Sequence, residues 1–162
     1  MRNGKRILLA EDDPLDAELT LTALAEHGLA DEVVVVEDGA EALDYLFRRG
    51  QFADREGPDP VVLLLDLKMP RVNGLEVLKE VRASEALRRL PIIMLTSSSE
   101  EQDVVTSYDE GVNAFVVKPV DYQKFVAAVK TVGKFWTMFN NPPPPADGPR
   151  WTGGGLLNMV QN

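Results

Sequence analysis

Five short apolar runs, rich in β-branched residues, alternate along this chain with longer stretches of helical periodicity. The runs predict strands over residues 6–10, 32–37, 61–66, 92–96 and 114–117. The intervening pattern predicts helices over 14–27, 39–49, 74–84 and 100–110, and a last helix over 121–139. Pro14 suits a first-turn position, where its missing N–H costs nothing. Leu15, Leu19 and the group Leu21, Thr22 and Leu24 then supply an apolar stripe. His27-Gly28 reads as a helix ending, a side chain suited to the negative end followed by a left-handed stop. Ser99 and Asp121 are candidate N-caps.

Strict strand–helix alternation implies an α/β fold: a parallel sheet with helices on both faces, in three layers. Right-handed crossovers leave few topologies. The favoured one is a flavodoxin-like, doubly wound five-stranded sheet of order 2-1-3-4-5.

Polar residues end four of the runs. Glu11, Asp12 and Asp13 follow the first, Asp66 closes the third, Thr96 the fourth, and Lys118 follows the fifth. In an open parallel sheet the carboxyl ends of the strands share one edge, where ligands bind. Glu11, Asp12 and Asp66 would then crowd together, and one acid would be driven towards protonation unless a cation relieved it. A few carboxylates with an open shell suit Mg²⁺, which keeps waters and binds a substrate phosphate. The plainer reading makes each acid an N-cap of a neighbouring helix. It explains one acid per loop well, but not three together with a lysine and a threonine. Lys118 offers a point charge for a phosphoryl oxygen or an ion pair to an acid. Thr96 offers one hydroxyl donor, and Ser97 is small enough to keep the crevice open.

Composition narrows the function. With 26 acids against 17 bases and a net charge of −9, nucleic acid and anionic lipid are poor partners. The absence of cysteine excludes disulfides, thiol catalysis and Cys-ligated metals. The first apolar stretch is too short for a signal peptide, and none approaches a membrane span, so a soluble cytoplasmic protein is expected. Residues 50–59 read as an exposed loop. A run of four prolines (142–145) and one of three glycines (153–155) divide a domain over 1–140 from a tail over 141–162, flexible or docking through Trp151 and 156–160. His27 is a better helix cap than a phosphorelay histidine. The pairs Arg48-Arg49 and Arg88-Arg89 read as solvated charge.

The segments ILLAEDD, VVLLLDLKMPRVNG, PIIMLTS and NAFVVKP, in this order, resemble a response-regulator receiver domain. The gaps match too: 30 positions from Asp66 to Thr96 and 22 from Thr96 to Lys118. Within that family the chain is similar to the single-domain regulators that partner bacterial phytochromes, through its longer loop before the third strand and Phe135-Trp136. The resemblance implies that Asp66 accepts a phosphoryl group from a sensor histidine kinase. It implies that Asp12, Asp66 and the main-chain carbonyl of Lys68 bind Mg²⁺, with Glu11 holding it through water. It also implies self-phosphorylation from small donors, slow self-dephosphorylation, and a cis Lys118-Pro119 bond. Thr96 would move in to the phosphoryl group, and Phe115 would rotate inward from the surface. Phe115 lacks the hydroxyl many relatives carry there. Lys68 and Ser98 flank the path of an attacking water.

With no second folded domain expected after Asn140, output is expected through protein contact, as a homodimer whose interface includes Phe135, Trp136 and Phe139. Alternatives are a phosphate sink or relay without its own target, or a Mg²⁺ phosphohydrolase, which would want an acid where Lys68 stands. A flavin carrier is opposed by the acids of the first loop, which repel phosphate.

Overall fold

The protein is described by a computed structural model that covers residues 6–25, 32–98, 100–101 and 111–131. His27-Gly28, Ser99, most of the helix expected over 100–110, the aromatics Phe135, Trp136 and Phe139, and the tail lie outside the described residues.

The strands are β1 (Arg6–Ala10), β2 (Glu32–Val36), β3 (Val62–Asp66), β4 (Ile92–Thr96) and β5 (Ala114–Val117). They form one sheet of order β2-β1-β3-β4-β5, parallel at every pairing. Four helices are described: α1 (Pro14–Ala25), α2 (Gly39–Phe47), α3 (Gly74–Ala83) and α4 (Tyr122–Thr131). The expected order, 2-1-3-4-5, is the observed one.

Why the strands are apolar throughout is clear from their two faces. Side chains alternate across a strand, so Leu8, Leu63, Leu65, Ile92 and Met94 pack on one side with residues of α2 and α3. Ile7, Leu9, Leu64, Ile93 and Leu95 pack on the other with residues of α1 and α4. Every residue of β3 and β4 is buried. Each such Leu or Ile contributes about 1.5–3 kcal/mol by leaving water, which fixes the sheet as the rigid layer of the molecule.

Helix α1 departs from the expected stripe. Its buried residues are Ala17, Thr20 and Leu24, while Leu15 and Leu19 are 63% and 45% exposed. The cap sets this rotation. The Asp13 carboxylate accepts hydrogen bonds from the amides of Leu15 (2.8 Å) and Asp16 (3.2 Å), and the small Ala17 and Thr20 then lie against the sheet. Helix α3 begins with a capping box: Asn73 Oδ1 accepts from the Glu76 amide and Glu76 Oε1 from the Asn73 amide, both at 3.0 Å. Asp121 accepts from the Lys124 amide at 2.8 Å, as expected of a cap for α4.

The loop over 50–59 is mostly exposed but not loose. It starts with a 3₁₀ turn, Gly50–Phe52, whose Phe52 ring meets Tyr45 edge-on with centroids 5.0 Å apart. Arg55 lies over the opposite partner of that pair, 4.1 Å from the Tyr45 ring centre. Arg48 donates to the carbonyls of Arg55 (2.6 Å) and Gly57 (2.7 Å). The reading of Arg48 as merely solvated charge is therefore corrected: its planar fork clamps the loop. Arg49 pairs with Asp44 at 3.2 Å, and Arg88 and Arg89 are exposed.

Candidate functional site

Register carries the polar strand ends to one edge. Ala10 pairs with Leu65, Asp66 with Leu95, and Thr96 with Val117. Backbone bonds continue the ladder past the strands: the Glu11 amide donates to Val36 (3.0 Å), Leu67 to Leu95 (3.1 Å) and Lys118 to Thr96 (2.8 Å). Those bonds hold the main chain beside each polar residue, so the side chains project from a fixed frame.

Carboxylate oxygens of Glu11, Asp12 and Asp66 lie within 4.8 Å of one another, the first and last buried and Asp12 exposed. Asp13 stands apart from this group as the cap of α1. Lys118 Nζ lies 3.3 Å from Glu11 Oε1, 3.3 Å from Asp66 Oδ1 and 3.1 Å from Asp16 Oδ2. Burial above all, then the adjacent Glu11 carboxylate, push the Asp66 carboxyl up to about 8, against the opposing pull of Lys118. Burial of Lys118 favours its neutral form, but Asp66, Glu11 and Asp16 outweigh that and hold its ammonium above the usual lysine range. So the lysine stays charged, and it does not fully offset the two buried acids. Hard oxygen donors crowded in this way, with one exposed member, fit a divalent cation such as Mg²⁺, which can take the place of the proton that the raised Asp66 carboxyl holds.

Thr96 is wholly buried, and its Oγ1 has no hydrogen-bond partner among the described residues. A buried hydroxyl left unpaired is uncommon and costs stability. Phe115 is half-buried, in contact with the core on the α2–α3 side and still partly open to solvent. The Lys118-Pro119 bond is cis, as expected.

Sequence reading missed three neighbours of the site. Asp16 reaches Lys118, and its position in the first turn of α1 is the only signal the sequence offered. Lys68, 78% exposed, pairs with Glu101 Oε2 at 3.1 Å, while Glu101 Oε1 accepts from the Ser97 amide at 2.7 Å. The Ser97 amide, opposed by burial and aided by Lys68, holds the Glu101 carboxyl below the usual carboxylate range. Arg71, in a left-handed conformation (φ 65°), grips Asp38 with two bonds of 2.9 and 3.0 Å. Asp38 caps α2, so this pair ties the loop after β3 to the loop after β2. Beside it a Cβ on Gly39 would overlap the Val72 carbonyl, which accounts for glycine there.

The family model described as the response regulator receiver domain matches residues 7–130. The structure is similar to that of the bacteriophytochrome response regulator AtBRR, with 59% identity, a TM-score of 0.77, and 80% of this chain and 92% of that one covered. It is similar to the bacteriophytochrome response regulator RtBRR, at 55% identity, TM-score 0.78 and coverage of 97% and 89%. Response regulator Rcp1 of Synechocystis sp. (strain ATCC 27184 / PCC 6803 / Kazusa) is 33% identical over 132 residues, covering 82% of this chain and 88% of Rcp1. The Mn²⁺-bound form of Rcp1 superposes with a TM-score of 0.66 at 31% identity, with 88% and 99% covered. Among the described residues no helix is long and apolar enough to cross a membrane. This chain belongs to the response-regulator receiver domain family.

Proposed function

We propose that the chain is a phosphorylation-driven signalling switch that accepts a phosphoryl group on Asp66 from a sensor histidine kinase. The observation that carries this reading is the buried Asp66 carboxylate, 3.3 Å from the Lys118 ammonium and clustered with Glu11 and Asp12. Asp66 Oδ attacks phosphorus, a P–O bond forms, and the P–N bond to the kinase histidine breaks with its electron pair returning to the imidazole. Lys118 donates to a phosphoryl oxygen and offsets its charge. Asp12, Asp66 and the main-chain carbonyl of Lys68 would hold Mg²⁺ directly, with Glu11 acting through water. A cation bound there supplies charge neutralisation for the transferring group. The unpaired Thr96 hydroxyl then has a phosphoryl oxygen to donate to, and Phe115 repacks in the space that Thr96 leaves.

Similarity to two bacteriophytochrome response regulators at 55% identity or more favours a bacterial phytochrome as the kinase. Output passes to a second copy of the chain through the last helix, with Phe135, Trp136 and Phe139 at the contact. A phosphate sink or relay is the alternative output. Incubation with acetyl phosphate and Mg²⁺, read by intact mass, tests the acceptor role. The wild type should gain one phosphoryl group and Asp66→Asn none; equal labelling of both would defeat the assignment. Light scattering across a concentration series tests the dimer, and a monomer at tens of micromolar removes it.

A further inference from the structure

We propose that Asp16 is a positioning residue for Lys118 during phosphoryl transfer; this rests on the reading of Asp66 as the acceptor. Asp16 stands in the first turn of α1, its main chain fixed by the Asp13 cap. Its side chain crosses to the last strand's lysine, Oδ2 to Nζ 3.1 Å, closer than either Glu11 or Asp66 at 3.3 Å. The contact is shielded: the Lys118 side chain is 14% exposed and that of Asp16 31%.

The three carboxylates around Lys118 differ in what else claims them. An ammonium has three N–H donors and no acceptor. Glu11 and Asp66 belong to the acidic cluster, and their charge is drawn on by any cation held there. Asp66 also gives up an oxygen to the phosphoryl group. Asp16 lies outside the cluster and keeps its carboxylate for the ammonium throughout. A lysine carries its charge on a flexible four-carbon stem, so a partner that does not change during the reaction decides where the charge stands. Held by Asp16, Nζ stays at the crevice with two donors left for the phosphoryl oxygens.

The test compares initial phosphorylation rates with acetyl phosphate and Mg²⁺, by intact mass, in the wild type, Asp16→Ala, Asp16→Asn, Lys118→Ala and the double variant Asp16→Ala/Lys118→Ala. Asp16→Ala should be about five- to tenfold slower. Asp16→Asn, which keeps an oxygen acceptor in place, should recover part of the loss. With Lys118→Ala already present, Asp16→Ala should cost nothing further, because the effect runs through the lysine. A second measurement needs neither metal nor phosphodonor. The Lys118 ammonium ¹H–¹⁵N resonance of the metal-free protein should be present in the wild type and lost in Asp16→Ala, with the strand amide resonances unmoved. Asp16→Ala at the wild-type rate, or an equal loss with and without Lys118, overturns the proposal while leaving Asp66 as the acceptor. A wild type that takes no phosphoryl group removes the acceptor reading, and this proposal with it.

Discussion

Gly74 is pressed so closely on Asp66 that a Cβ there would lie 2.6 Å from the Asp66 carbonyl oxygen and 2.9 Å from the Leu67 Cα. Both obstacles are backbone, held by the Leu67 amide bond to Leu95 and by the Gly74 amide bond to Leu67 at 2.8 Å. Alanine would ordinarily favour a helix over glycine. Here Gly74→Ala should instead destabilise the fold by about 1–3 kcal/mol through overpacking, and slow phosphorylation by shifting Asp66. Urea denaturation and labelling with acetyl phosphate check both; a stabilised variant would show that the contact yields easily.

The Asp66 carboxyl sets a pH dependence of the metal-free protein. Burial and then Glu11 raise it from 3.8 to about 8. The folded state thus holds a proton that the unfolded chain releases between those values, and stability falls as pH rises through that window. Asp66→Asn has no such proton. Its stability advantage over the wild type should grow from pH 5 to pH 8 and shrink when Mg²⁺ is added. A gap independent of pH in denaturant titrations would contradict this. Lys118 works in the same direction at higher pH: its raised value adds stability that is fully present below the unfolded lysine value and is lost as pH rises through the folded one, well above this window.

On the proposed function, the Thr96 hydroxyl, unpaired among the described residues, gains a partner only on phosphorylation. Thr96→Val keeps the shape and removes a buried donor without a partner. The unphosphorylated form should therefore lose no stability and gain up to about 1 kcal/mol. The same variant should fail to stabilise the protein on phosphorylation as the wild type does. Thermal melts with and without acetyl phosphate and Mg²⁺ measure both, and a less stable unphosphorylated Thr96→Val would mean that the hydroxyl already has a partner.

Lys68 and Glu101 join the loop after Asp66 to the loop after Thr96. The lysine is exposed, so the pair adds only about 0–1 kcal/mol. Lys68→Ala should leave the denaturation midpoint nearly unchanged but alter the decay of the phosphorylated state several-fold, by opening the path of water to the phosphoryl group. Radiolabel decay is the measurement, and an unchanged rate removes Lys68 from that role.

The apolar runs determined the sheet. Central segments such as Val62–Asp66, too apolar for any place but between two layers, leave little choice but a covered parallel sheet. The same runs located the cluster, because a polar residue ending a buried strand has nowhere to go but the sheet edge; Asp66, Thr96 and Lys118 were legible for that reason. What the tertiary structure decided was the rotation and neighbours of the covering elements. Leu15 and Leu19 suit a buried stripe, yet the Asp13 cap and the packing of Ala17 and Thr20 turn them outward. Asp16 and Lys118 are 102 positions apart, and Arg71 and Asp38 are 33 apart. Pairs so distant carry no local period. They exist because parallel pairing brings the carboxyl ends of all five strands to one edge, where the loops and helices that follow them meet, and only the folded chain fixes which charges then face each other.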